Sequence, residues 1–183
     1  MISERNIIMY DPFAGGSSLY FNKINVGFDF ETDFMENNIR CIPMIVRFKM
    51  DAAGIKLRLS EWSKFNVEER VLLAVKPCST ELEAKVYNDY LNGLIFKYTG
   101  TLGTPMKIDS NPPWAEHNPI TEQLAERISK EGVTLNIGQW QGLTNLKRFA
   151  LLKLCREGHE SKNFIKALKE FEIVVDEEEL AHG

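Results

Sequence analysis

Residues 143–158 read LTNLKRFALLKLCREG, and this run decides the fold class. Thr144 stands where an N-cap side chain accepts from the first helical turn. Behind it Leu146, Phe149, Ala150, Leu152 and Leu154 crowd more than one face of a 3.6-residue period. A helix that is apolar on more than one face belongs inside a core, so the run predicts a central, buried helix that ends at Gly158. Residues 161–171 follow with Phe164, Ile165, Leu168 and Phe171 at helical spacing.

The rest of the chain supplies helices to pack around that one. Upstream, VTLNIGQWQGL (133–143) reads as a connection carrying Trp140, and Thr121 caps a short helix with Leu124 and Ile128 inward and Gly132 after it. Residues 100–119 hold four of the seven prolines and predict a loop, pinned to the core by Trp114. The longest helix spans about 80–98. Thr80 and Glu83 form its capping box, the apolar stripe is Leu82, Val86, Tyr90, Leu91, Leu94, Ile95 and Tyr98, and Gly100 ends it. Asn66 and Glu69 form a second capping box, opening a helix with Val67, Val71, Ala74 and Val75 on one face and stopped by Pro77. A further helix runs from Pro43 to about Ala53, with Ile42, Ile45, Val46, Met50 and Ala53 on its stripe and Gly54 at its C′ position. Residues 55–60 predict an extended connection or short strand, and 60–65 a single turn anchored by Trp62. In residues 28–34, FDFETDF, Phe28, Phe30 and Phe34 alternate with Asp29, Glu31 and Asp33. That period of two predicts an extended segment with an aromatic face and a solvated acidic edge; the alternative is an acidic cluster for a metal or for acid–base chemistry.

The predicted fold is therefore all-α: a single compact domain of about six helices with a short extended N-terminal segment. Residues 1–27, with Gly15-Gly16-Ser17-Ser18, read as a loosely attached extension, 28–174 as the helical domain, and 175–183, with its DEEE run at 176–179, as an acidic disordered tail.

Composition bounds the function. With 183 residues, 44% apolar and 26% charged, the chain has the balance of a soluble globular protein and excludes a fibrous or collagen-like one. No apolar run approaches the roughly 18–20 residues of a membrane helix. The formal charge of −4 excludes a whole-surface polyanion binder and leaves room for a local basic face. Cys41, Cys78 and Cys155 are odd in number and widely spaced, which fits free thiols in a reducing compartment. The first residues lack a secretory pattern, so a cytoplasmic protein is expected. Cys155 and His159 stand four apart, but two ligands do not make a metal centre. No phosphate-binding glycine loop, G-x-S-x-G elbow or H-E-x-x-H is present. We therefore expect no catalysis, no metal and no cofactor.

Two basic features stand out. Between 143 and 171 seven bases face three acids, and two helices joined by a short turn suggest a helix-turn-helix. The acidic total and the apolar residues of the second helix disfavour nucleic acid. On the helix that starts at Pro43, Arg40, Arg47 and Lys49, continued by Lys56 and Arg58, form a basic face suited to an acidic partner protein. A third reading places a pterin or similar cofactor in a pocket framed by Trp62, Trp114 or Trp140 with His159 nearby.

Three segments carry a family resemblance: FDFETDFMENNIRCIPMIVRFKMDAAGIKLRLSEW (28–62), FNVEERVLLAVKPC (65–78) and LTNLKRFALLKLCREGHESKNFIKALKEF (143–171). Together they resemble the nitrate reductase-associated protein family, found mainly in cyanobacteria and typically encoded near nitrate reductase and molybdopterin-synthesis genes. The resemblance covers about 28–174. It implies a non-catalytic accessory or maturation factor for assimilatory molybdenum-dependent nitrate reductase, with the reductase or its maturation machinery as partner. The family brings no established catalytic residues. Within the family-like segments Pro43 and Gly54 are explained as cap residues. Arg40, Arg47, Lys49, Lys56, Arg148, His159, Lys162 and Asn163 are the residues expected to form a contact surface.

Overall fold

A computed structural model describes residues 27–31, 41–156 and 162–174. Among these residues the chain forms eight α-helices, six of them of seven residues or more: α1 (Met44–Ala53), α2 (Leu59–Trp62), α3 (Val67–Val75), α4 (Glu81–Thr99), α5 (Glu122–Lys130), α6 (Ile137–Gly142), α7 (Asn145–Leu154) and α8 (Phe164–Glu170). The described strands are two residues each. β1 (Ile55–Lys56) pairs antiparallel with β2 (Thr104–Pro105), Ile55 opposite Pro105. The mostly helical fold expected from the sequence is the one observed.

The local signals explain where the helices start. Asn66 Oδ1 accepts from Glu69 N–H at 2.8 Å while Glu69 Oε2 accepts from Asn66 N–H at 2.9 Å, a reciprocal capping box. Thr80 and Glu83 repeat the pattern on α4, and Thr121 and Thr144 cap α5 and α7. Gly54 and Gly100 close α1 and α4 in the left-handed region, at φ 68° and 71°.

Apolar packing is divided into two clusters. One gathers Leu124, Ile128, Trp140, Phe149, Leu151, Phe164 and Leu168 from α5 to α8. The other gathers Trp62, Leu73, Tyr87, Leu91 and Ile95 from α2 to α4. The first turn of α1 gives Met44 to the former, and its later positions Val46, Met50 and Ala53 join the latter. α1 is thus the shared wall, and α7 has the central place its sequence predicts, with Arg148 to Leu152 and Leu154 all buried.

Four readings need correction. The extended segment at 28–34 is, where described, a 3₁₀ turn at Asp29–Glu31. Phe28 and Phe30 stack at 5.1 Å and both meet Phe171. Glu31 is buried rather than solvated, and its Oε1 accepts from Met44 N–H at 2.8 Å, placing a carboxylate at the start of α1 where the helix dipole favours it. Residues 137–142 are a helix, not a connection; Gly138 and Gly142 hid it, and Asn136 with Gln139 caps it. On α3 the buried positions are Glu69, Leu73 and Ala74, and Val75 is exposed. On α4, Leu82 and Val86 extend the helical stripe past the core into solvent, and Tyr87 is buried instead. Phe34, residues 1–26 of the 1–27 extension and the 175–183 tail lie outside the described residues.

The rotation of α3 follows from one buried carboxylate. Burial alone raises the pKa of Glu69, but hydrogen bonds from Lys97 (2.7 Å), Asn66 N–H and Tyr98 (2.9 Å) outweigh it and hold the carboxyl below its ordinary value. The unfolded chain therefore binds the proton more readily than the folded one. The stabilisation is complete above the unfolded value of about 4.3 and is lost as pH falls through the lower folded value. We expect Glu69→Gln to flatten this part of the acid limb. Urea midpoints measured from pH 6 downward check it: the wild type should lose more stability than the variant over the same interval.

Candidate functional site

The outer side of α1 opens into two grooves. One, about 660 Å³, has Arg47, Met50, Lys56, Leu57 and Arg58 among its walls. The other, about 890 Å³, runs past Phe48, Cys78, Asn88, Ile108 and Trp114 to Arg156. Asp51, Met106 and Lys153 line both. The grooves therefore adjoin at one waist, and together they form a trough along the seam where α1 separates the two apolar clusters.

The end of α7, the start of α4, α1 and the 104–114 loop build this trough. The α1 helix sets Arg47 and Asp51 one turn apart on one face. The clasp of β1 against β2, with Met106 N–H donating to Gly54 O at 2.8 Å, lays residues 104–108 over the end of α1. Farther along the loop, Trp114 packs edge-on against Phe149 at 4.9 Å and tilted against Phe48 at 6.4 Å, which fixes the far wall.

At the waist Lys153 Nζ lies 3.0 Å from Asp51 Oδ2, with side chains 24% and 20% exposed, a pair that joins residues 102 positions apart. The same ammonium stands 4.8 Å over the Phe149 ring and 5.8 Å from that of Trp114. Among the described residues that line the trough, Arg47, Lys56, Arg58, Lys85 (paired at 3.5 Å with Asp89 beyond the lining), Lys107, Lys153 and Arg156 face Asp51, Glu81 and Asp109. Seven cations against three carboxylates, on a chain of net charge −4, is a local reversal of sign.

The residues expected from the sequence do not all meet here. Arg47 and Lys56 line the trough. Lys49 instead points inward. Its Nζ donates to Ala74 O at 2.5 Å and Lys76 O at 2.7 Å, binding the carbonyl end of α3, where the dipole favours a cation. Burial pushes its pKa down, and the nearby Cys78 opposes the shift. Cys78 itself is pushed up by burial and stays a thiol at neutral pH. Arg148 is also internal, with donors on Trp114 O, Trp140 O and Asn145 Oδ1. These two cations have the structural explanation that sequence alone did not supply, and their charged ends are not offered to a partner. Lys162 is exposed, and Asn163 is buried just ahead of α8. Arg40 and His159 lie outside the described residues. Trp62 and Trp140 are core residues, and Trp114, half-buried, borders the larger groove.

Lys85 and Lys107 carry no contact assignment in the sequence reading, and Lys153 and Arg156 enter it only among the seven bases of the helix-turn-helix alternative. The presence of bases near 153–156 was legible, but their meeting with α1 was not. Among the described residues no group of three or more His, Cys, Asp and Glu is placed to hold a metal ion, and no helix is long and apolar enough to cross a membrane.

Comparison with protein families matches residues 27–171 to the conserved nitrate reductase-associated protein family. Comparison with curated proteins and with solved structures returned no match.

Proposed function

The chain belongs to the nitrate reductase-associated protein family, and from that premise we propose that it is an accessory protein that binds nitrate reductase, or the machinery that matures it, acting by association rather than turnover. The enzyme it supports is the assimilatory, molybdenum-dependent reductase. The trough along α1 is its contact face.

The observation that carries this reading is the sign reversal at the trough. A cationic face on an acidic molecule attracts an acidic surface, orients the approach and repels misaligned encounters. Arg47 and Arg58 are of the residue type that most often anchors such interfaces. The family-like segments 28–62 and 143–171 supply α1 and α7, the two helices that meet at the waist.

Co-purification of the reductase with the wild-type protein and with an R47E/K56E/R58E variant tests the surface. Lys56 and Arg58 are exposed and Arg47 half-exposed, and thermal melting of the variant checks that the fold holds. Association is expected to weaken at least about tenfold, roughly 1.4 kcal/mol, and the wild-type complex should loosen as salt rises. A folded triple variant that binds at full strength would overturn the surface. Reductase that reaches full activity in cells lacking this protein would overturn the accessory role.

A further inference from the structure

We propose that the trough takes an extended acidic segment of a protein partner, and that Asp51 holds Lys153 as an internal stand-in for one of that segment's carboxylates. The inference rests on the trough being the contact face and adds what the partner presents to it.

Shape argues for a long occupant. Small-ligand sites enclose most of their ligand, whereas these grooves are open to solvent and joined end to end at Asp51, Met106 and Lys153. Cations stand on both sides of the waist: Arg47, Lys56 and Arg58 along one groove, Lys107 and Arg156 along the other. Between the charges are exposed apolar side chains, Leu59 at 41% and Ile108 at 55%. That mixture suits a peptide whose side chains alternate in character. Nucleic acid fits less well. Asp51, Glu81 and Asp109 stand in the walls, where they repel phosphates and side-chain carboxylates alike but can accept peptide N–H groups, which a phosphate backbone lacks. Trp114, the large aromatic of the wall, is packed against Phe48 and Phe149 with Lys153 near its ring, so stacking of bases is not offered.

The waist decides how tightly such a segment binds. Lys153 is the cation common to both grooves, and Asp51 already neutralises it at 3.0 Å. An incoming carboxylate must displace Asp51 or lie beside it, and like charges at that range repel. Asp51 therefore costs affinity while it satisfies Lys153 in the free protein. Removing its charge frees Lys153 and makes the trough more positive by one.

The test uses the full chain and a fluorescein-labelled octaglutamate peptide, read by anisotropy at low salt. Wild type should bind it, and binding should fall as salt rises. Asp51→Asn should bind about three- to tenfold more tightly, and Arg58→Glu, at an exposed site, several-fold more weakly. A purely structural Asp51 predicts a lower melting temperature with no gain in affinity, and that result would overturn the stand-in role. Absence of octaglutamate binding by both wild type and Asp51→Asn would overturn the proposal, as would tighter binding of an eight-residue oligothymidylate. Competition separates this idea from the accessory role. If the reductase co-purifies and excess octaglutamate fails to displace it, the acidic-segment proposal falls while the association stands.

Discussion

Arg148→Ala is expected to lower stability by about 3 kcal/mol without removing a charge from the walls of the trough. Arg148 is 2% exposed, and its guanidinium works in three directions. Its Nε donates to Trp114 O at 3.1 Å, Nη1 to Trp140 O at 3.3 Å and Nη2 to Asn145 Oδ1 at 2.6 Å. The plane also sits 5.8 Å from the Trp140 ring. One side chain thereby ties the proline-rich loop and α6 to α7. Alanine would strand the Trp114 carbonyl, at a cost of roughly 1–3 kcal/mol if left dry, and would leave a cavity beside Trp140, whose own carbonyl keeps the Leu143 N–H at 3.2 Å. Water entering from the loop side offsets part of that, hence a figure below the sum. Lysine keeps the charge, but its single ammonium cannot replace a planar fork reaching three separated acceptors, so Arg148→Lys should lose roughly 2 kcal/mol. At about 2–4 °C per kcal/mol for a chain of this size, the alanine variant should melt about 6–12 °C lower. Thermal melting and urea midpoints check it. A variant with unchanged stability and lost partner binding would return Arg148 to the contact surface where the sequence placed it.

That misplacement shows which kinds of information a sequence carries here. Helix starts were legible because a capping box closes within four residues: Asn66 with Glu69 and Thr80 with Glu83 use only neighbours. The burial of α7 was legible because apolar side chains announce themselves. The inward cations were not. Lys49 finds its acceptors on backbone carbonyls 25 and 27 residues away, and Arg148 on those of Trp140 and of Trp114, the latter 34 residues away, and a carbonyl has no letter in the sequence. Buried Glu69 misled for the complementary reason: its partners Lys97 and Tyr98 lie on the next helix, so the polar residue looked like a solvent face and the apolar stripe was drawn too far round α3. The trough was hidden most completely. Its waist depends on Asp51 meeting Lys153 across 102 residues, and its wall on the loop that has the least regular pattern in the chain.

The clasp that lays the start of the loop over α1 depends on one backbone position, which gives the second large effect. Gly54, Gly100 and Gly132 share nearly the same left-handed conformation, at φ 68°, 71° and 72°. An L side chain there costs about 1–2 kcal/mol from its own backbone contact. At Gly100 and Gly132 a Cβ would meet nothing within 4 Å, so alanine should cost only that strain, about 1 kcal/mol. At Gly54 the same Cβ would stand 2.9 Å from Met106 O and 2.9 Å from Ile108 Cγ1. Ile108 is exposed and can swing aside; the Met106 carbonyl cannot, because its own N–H is held by Gly54 O. The clasp between β1 and β2 must open to admit the methyl group. We therefore expect Gly54→Ala to cost about 3 kcal/mol, with a melting shift about three times that of Gly100→Ala. Because Met106 lines both grooves, Gly54→Ala should also weaken octaglutamate binding, whereas Gly100→Ala, remote from the trough walls, should not. Equal melting shifts in the two variants would mean that the loop yields freely, and Met106 would then be no fixed wall between the grooves.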